Sequence, residues 1–184
     1  MDLKQCISDL SLGNTYETKH NMWQKYSKYL KHQIVHHVFL TRNIELAETI
    51  MKFFLDDYDK NSYNLMYTFV NLLCVVLAST HLPQYLKYII QAKQIGDAFL
   101  YIDSNLLFEF TSECEEMAPV KNTLKNLDNI CLHLSNNDSE VYRQMVKYYS
   151  ENYTDDMVVK QWLKYKSPTF KLHIEERLGE LSYD

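Results

Sequence analysis

Glycine stands only at positions 13, 96 and 179 of this 184-residue chain, and proline only at 83, 119 and 168. Strand-rich folds turn every 8–12 residues, and their turns draw on Gly, Pro, Asn and Asp. A chain this short of two of those residues predicts long helices and an all-α fold. Hydrophobic residues make up 46% and charged residues 23%, enough for a core and too apolar for disorder. The length suits one domain over 1–184, with 1–13 as a candidate flexible N-terminal segment.

The run from Leu65 to Ala78 is apolar at nearly every position, interrupted by Asn71. A membrane span needs about 20 apolar residues, so this run predicts a central core helix instead. The N-terminus carries Asp2, Lys4, Gln5 and Asp9 where a signal peptide needs an apolar stretch. Four widely separated cysteines, two of them in apolar patterns, fit reduced thiols better than a disulfide framework. Both features predict an intracellular protein, cytoplasmic or nuclear.

Periodicity places the remaining helices. From Thr15, the residues Trp23, Tyr26, Leu30, Ile34 and Val38 form one apolar stripe, with Lys25, Lys28, His32 and His36 on the opposite, solvated row. Thr41 is a candidate cap for a helix that the polar stretch 56–61 ends, and Asn61 or Ser62 for the central helix. Pro83 opens a helix over 83–94 and Pro119 one over 120–134; Asp138 caps 139–150 and Thr154 caps 155–165. Ser167-Pro168 begins the last, and 97–110 reads as helix in preference to a hairpin turning at Asp103-Ser104-Asn105. The total expected is eight or nine helices.

The pattern carries little chemistry. Three scattered glycines build no phosphate loop, and no C-x-x-C pair is present for a zinc knuckle or a dithiol site. His32 and His36 are four apart, but Gln33 stands where a zinc-protease helix needs Glu and no third ligand is indicated. Cys131 and His133 point different ways around a helix. No catalytic residue, metal or cofactor is expected. Charge is uneven: Thr18–Ile44 holds five cations, four histidines and no acid, whereas Gln94–Val120 holds six acids and no cation. Such segregation predicts surface patches that steer partners, and a pI near 5.8 disfavours nucleic acid.

A buried asparagine needs a partner for its amide. The octet FVNLLCVV at 69–76 is echoed by LDNICLHL at 127–134, each with Asn third in an apolar helical stretch followed by a polar break and another helix. This resembles the third helix of an armadillo repeat. The two asparagines are 58 positions apart, longer than the 40–47 residues of such repeats, so a helix would be inserted. The resemblance, over roughly 60–165, implies an armadillo- or HEAT-like stack whose concave face holds an extended peptide through Asn71 and Asn129. Trp162 would flank that face as an aromatic anchor. The alternative fold is an irregular helical bundle with Asn71 as a satisfied core amide.

The expected function is a non-enzymatic adaptor or scaffold module that holds a segment of another protein, using Asn71, Asn129, Trp162 and the basic Lys25 and Lys28. One rival is a compact helical bundle of the kind poxviruses use to block host apoptosis or innate signalling, although no Asn-Trp-Gly-Arg motif is present. A small helical enzyme is the other.

Overall fold

The computed structural model describes residues 2–11, 13–57, 67–96, 98–109 and 118–180. Among them no residue is in a strand, and the all-α expectation holds. The α-helices are α1 (Leu3–Ser11), α2 (Tyr16–Lys25), α3 (Lys28–Thr41), α4 (Ile44–Asp57), α5 (Tyr67–Ala78), α6 (Leu86–Lys93), α7 (Ala98–Tyr101), α8 (Pro119–Cys131), α9 (Asn136–Ser150), α10 (Asp155–Lys166) and α11 (Pro168–Glu180). Short 3-10 helices cover Pro83–Tyr85 and Ser104–Phe108. The count exceeds the eight or nine expected because the polar N-terminal stretch forms α1 and the stripe from Thr15 is split in two; the helix expected over 97–110 is replaced, within 98–109, by the one-turn α7 and a 3-10 turn. The chain folds as two compact units, 1–76 with 168–184, and 77–167.

In the first unit, α1 packs on α2, α3 and α4, burying Cys6 and Leu10, so the segment offered as flexible contributes to a core. The expected single helix from Thr15 is interrupted at Tyr26, whose backbone is extended, and Ser27 starts α3 by accepting a hydrogen bond from Leu30 N. A serine at that point offers the orphan amides a cap and makes the break favourable. Asn43, not Thr41, caps α4: its Oδ1 accepts from Leu46 N at 3.0 Å, while the Thr41 hydroxyl bonds back to His37 O. Asn61 and Ser62 lie outside the described residues.

The basic row behind α3 is not solvated as expected. Lys25 and Lys28 are exposed, but His36 is 2% exposed and His32 is half-buried. Both imidazoles lie against Phe69 of α5, His32 stacked at 3.8 Å and His36 tilted at 5.4 Å between ring centroids. Phe69 of α5 is the physical reason: it covers a second side of α3, where Val35 and Phe39 are buried along with the expected Leu30, Ile34 and Val38. Elsewhere in this unit Asp57 is buried and receives both His20 Nε2 at 2.8 Å and Gln24 Nε2 at 2.6 Å, tying α2 to α4.

In the second unit the residues Ser104 to Glu109 are all buried, with Leu106, Leu107 and Phe108 at 0% exposure. A 3-10 turn leaves carbonyls without helical partners, and buried carbonyls require donors. Side chains supply them. Lys93 Nζ donates to Ile102 O at 2.7 Å and to Ser104 Oγ at 3.0 Å. The Tyr142 hydroxyl donates to Leu107 O at 2.8 Å, and that of Thr123 to Phe108 O at 3.3 Å. His81 Nδ1 lies 2.7 Å from Glu109 O. Helices α6, α9 and α8 and the turn after α5 thus each send one donor to the same buried segment. Gln161 of α10 adds a bond to Asp103 at 3.1 Å.

Capping here also departs from the sequence reading. Ser135 caps α9, its Oγ accepting from Asp138 N, so Asp138 sits inside the first turn. Thr154 caps α10 as expected. The helix after Pro83 begins as a 3-10 turn before α6.

Candidate functional site

An open groove of about 500 Å³ lies where the start of α8, the end of α9 and the start of α10 meet. Its apolar floor is Val120, Leu124 and Tyr153, and its polar rim includes Lys121, Ser150, Asp155 and Asp156. Asp155 builds it. Its Oδ1 accepts from the main-chain N–H of Val120 at 2.8 Å and of Lys121 at 3.3 Å, and Oδ2 lies 3.6 Å from Lys121 Nζ. Pro119 has no N–H to satisfy, so this carboxylate serves the orphan amides that follow it. It also complements the helix N-terminus.

Tyr153 backs the groove. Its ring packs on Phe108 and Tyr149 at 6.3 and 5.9 Å, and burial with nearby Asp103 holds its hydroxyl above the ordinary tyrosine range. Leu124 remains 47% exposed. The Lys121–Asp155 pair is locally neutral, leaving exposed Asp156 to set a negative rim.

A second cluster in the same unit surrounds His81. Its backbone takes the left-handed conformation at φ 56°, uncommon for a residue with a side chain. A carbonyl only accepts, so the 2.7 Å contact with Glu109 O places the hydrogen on Nδ1. The carboxylate Oε2 of Glu109 is 4.0 Å from the same nitrogen. Burial pushes the Glu109 carboxyl up to about 7, against the pull of His81 and Lys166. Trp162 meets His81 edge-on at 6.0 Å, with Lys166 Nζ 5.1 Å from its ring. Among the described residues, the Glu109 carboxyl thus changes charge near neutrality. No group of three or more His, Cys, Asp or Glu among them is placed to hold a metal.

The residues singled out from the sequence are divided between the two units. Asn71 is half-buried on α5 in the first unit, and Asn129 is exposed on α8 in the second. Trp162 is 8% exposed and packed against His81 and Tyr165 rather than presented to a partner. Lys25 and Lys28 are exposed, at the end of α2 and the start of α3. The acidic patch expected over 94–120 loses Glu109, which is 3% exposed.

Sequence reasoning missed the groove and the buried carboxyl. The groove rests on Asp155 reaching 35 positions back along the chain, and no local pattern encodes that. Glu109 did leave a signal: it sits between Leu106-Leu107-Phe108 and Phe110, an acid inside an apolar run. No helix among the described residues is long and apolar enough to cross a membrane. Compared with protein-family models, with curated proteins and with solved structures, the chain matches none.

Proposed function

We propose that the chain is a non-enzymatic interaction module that holds a segment of a partner protein in the groove between α8 and α10. The observation that carries this reading is the exposed Leu124 on an apolar floor beside the acidic rim of Asp156. A concave, mostly apolar surface with a few placed polar groups is the ordinary form of a recognition site. The occupant it suits is a short segment with a large aliphatic or aromatic side chain for the floor and a Lys or Arg for Asp156.

Asn129 supports the same reading. Together with Lys121 and Lys125 it forms an exposed row at four-residue spacing, running from the groove along α8. In the armadillo-like reading this asparagine holds partner backbone.

Selection from a displayed peptide library tests the proposal. Enriched sequences are expected to combine an apolar anchor with a basic residue and to lose binding to the Leu124→Asp variant. Lack of enrichment over an unrelated helical protein, or binders indifferent to Leu124→Asp and Asp156→Lys, would refute it.

A further inference from the structure

Lys28, His32 and His36 occupy one row of α3 at four-residue spacing, and a single ring, Phe69 of α5, covers both imidazoles. We infer that the packing of Phe69 on α3 is an acid-sensitive contact, held together by the uncharged His32 ring and released when that ring takes up a proton.

His36 is 2% exposed, and the Nε2 of His32 is buried with no hydrogen-bond partner among the described residues. A proton on that nitrogen therefore meets neither water nor an acceptor from the described residues. Lys28, one turn before, adds a like charge. Burial, with Lys28 behind it, accordingly pushes the His32 imidazole down to about 4. The attraction of a cation for the face of Phe69 works the other way and is the weaker effect.

Carboxylates on the elements packed against α3 do not come to the rescue. On α4, Asp56 is bound to Tyr16, Asp57 to His20 and Gln24, and Glu48 to Lys52. Glu45 of the same helix is exposed. On α1, Asp9 accepts from Gln5, and Asp2, just before that helix, accepts from the Lys4 amide. On α11, Glu175 and Glu176 are exposed, as are Lys171 and His173. The described part of α5 that belongs to this unit contains no acid. Among the described residues the charge acting on His32 is that of Lys28.

The sign follows from the depressed imidazole. Its ordinary value is 6.5, so the contact is at full strength above that pH and weakens as pH falls toward about 4. Hydrogen exchange, corrected for intrinsic rates, reads it directly. Amide protection over residues 67–76 is expected to fall on the order of tenfold or more between about pH 7 and about pH 4.5. His32→Phe, which keeps the stack and removes the titration, is expected to lose much less. Equal losses in both proteins, or unchanged protection in the wild type, would overturn the inference. Should His32→Phe fail to fold, NMR titration of His32 in the wild type decides: an ordinary imidazole value overturns it, and one well below 6 upholds it.

Discussion

His81 Nδ1 donates to the main-chain oxygen of Glu109 at 2.7 Å while the Glu109 carboxyl, 4.0 Å from the same nitrogen, is buried and held near neutrality. The main-chain bond and the carboxyl therefore respond differently to pH. The carboxyl rises from an ordinary 4.5 to about 7, so the folded chain binds the extra proton between those values. Stability contributed by that proton is complete below about 4.5 and is lost as pH rises through about 7. Glu109→Gln is expected to flatten this slope and to raise stability above neutrality, by up to about 3 kcal/mol. Calorimetric scans of both proteins near pH 5 and pH 8 check it; parallel slopes would refute it.

Tyr142→Phe keeps the ring and removes the donor to Leu107 O, leaving a buried carbonyl unpaired. The expected cost is about 1–3 kcal/mol. Thr123→Val removes the longer 3.3 Å bond to Phe108 O and is expected to cost less. Urea unfolding with unchanged m-values measures both, and a neutral Tyr142→Phe would show that the carbonyl has another donor.

Lys93 is 4% exposed and serves Ile102 O and Ser104 Oγ while its ammonium lies 5.5 Å from the Tyr149 ring. Lys93→Met retains the aliphatic stem and is expected to destabilise by about 2–3 kcal/mol, since charged hydrogen bonds are lost. A variant as stable as the parent would mean that the ammonium's partners are hydrated.

Asp155→Ala removes the acceptor for Val120 N and Lys121 N, with an expected cost of about 1–2 kcal/mol. Asp155→Asn retains an oxygen for the amides and should recover most of it. Thermal unfolding distinguishes the two; equal losses would assign the effect to charge rather than to the cap.

Asn129 is exposed and Asn71 half-buried. Asn129→Ala is expected to change stability by no more than about 0.5 kcal/mol. A loss of peptide affinity in that variant would then reflect a contact with the partner. Retained affinity would remove Asn129 from the binding surface.

Helix content was legible because Gly and Pro scarcity, apolar stripes and a capping residue such as Thr154 are local signals. Element edges were less so. Ser27 reads equally as a surface residue of a long helix or as a cap, and burial of Trp23 and Leu30 on both sides conceals the break. His32 and His36 looked like solvated basic residues because nothing adjacent announces Phe69 above them. The groove and the His81–Glu109 pair join residues from separate helices or turns, and only tertiary packing brings those together.

The buried stretch from Ile102 to Glu109 has a consequence for which fold the sequence selects. Apolar contact alone tolerates sliding, because Leu106, Leu107 and Phe108 offer similar greasy surface in neighbouring registers. Donors on Lys93, Tyr142, Thr123 and His81 hold the main chain of this stretch in place, and two side chains mark the register: Ser104 Oγ on Lys93 Nζ and the Glu109 carboxyl beside His81. A slip of one residue puts the wrong side chain at both places, so near-miss compact states lose these polar contacts as well as apolar area. The polar core of this unit therefore acts as a lock on register.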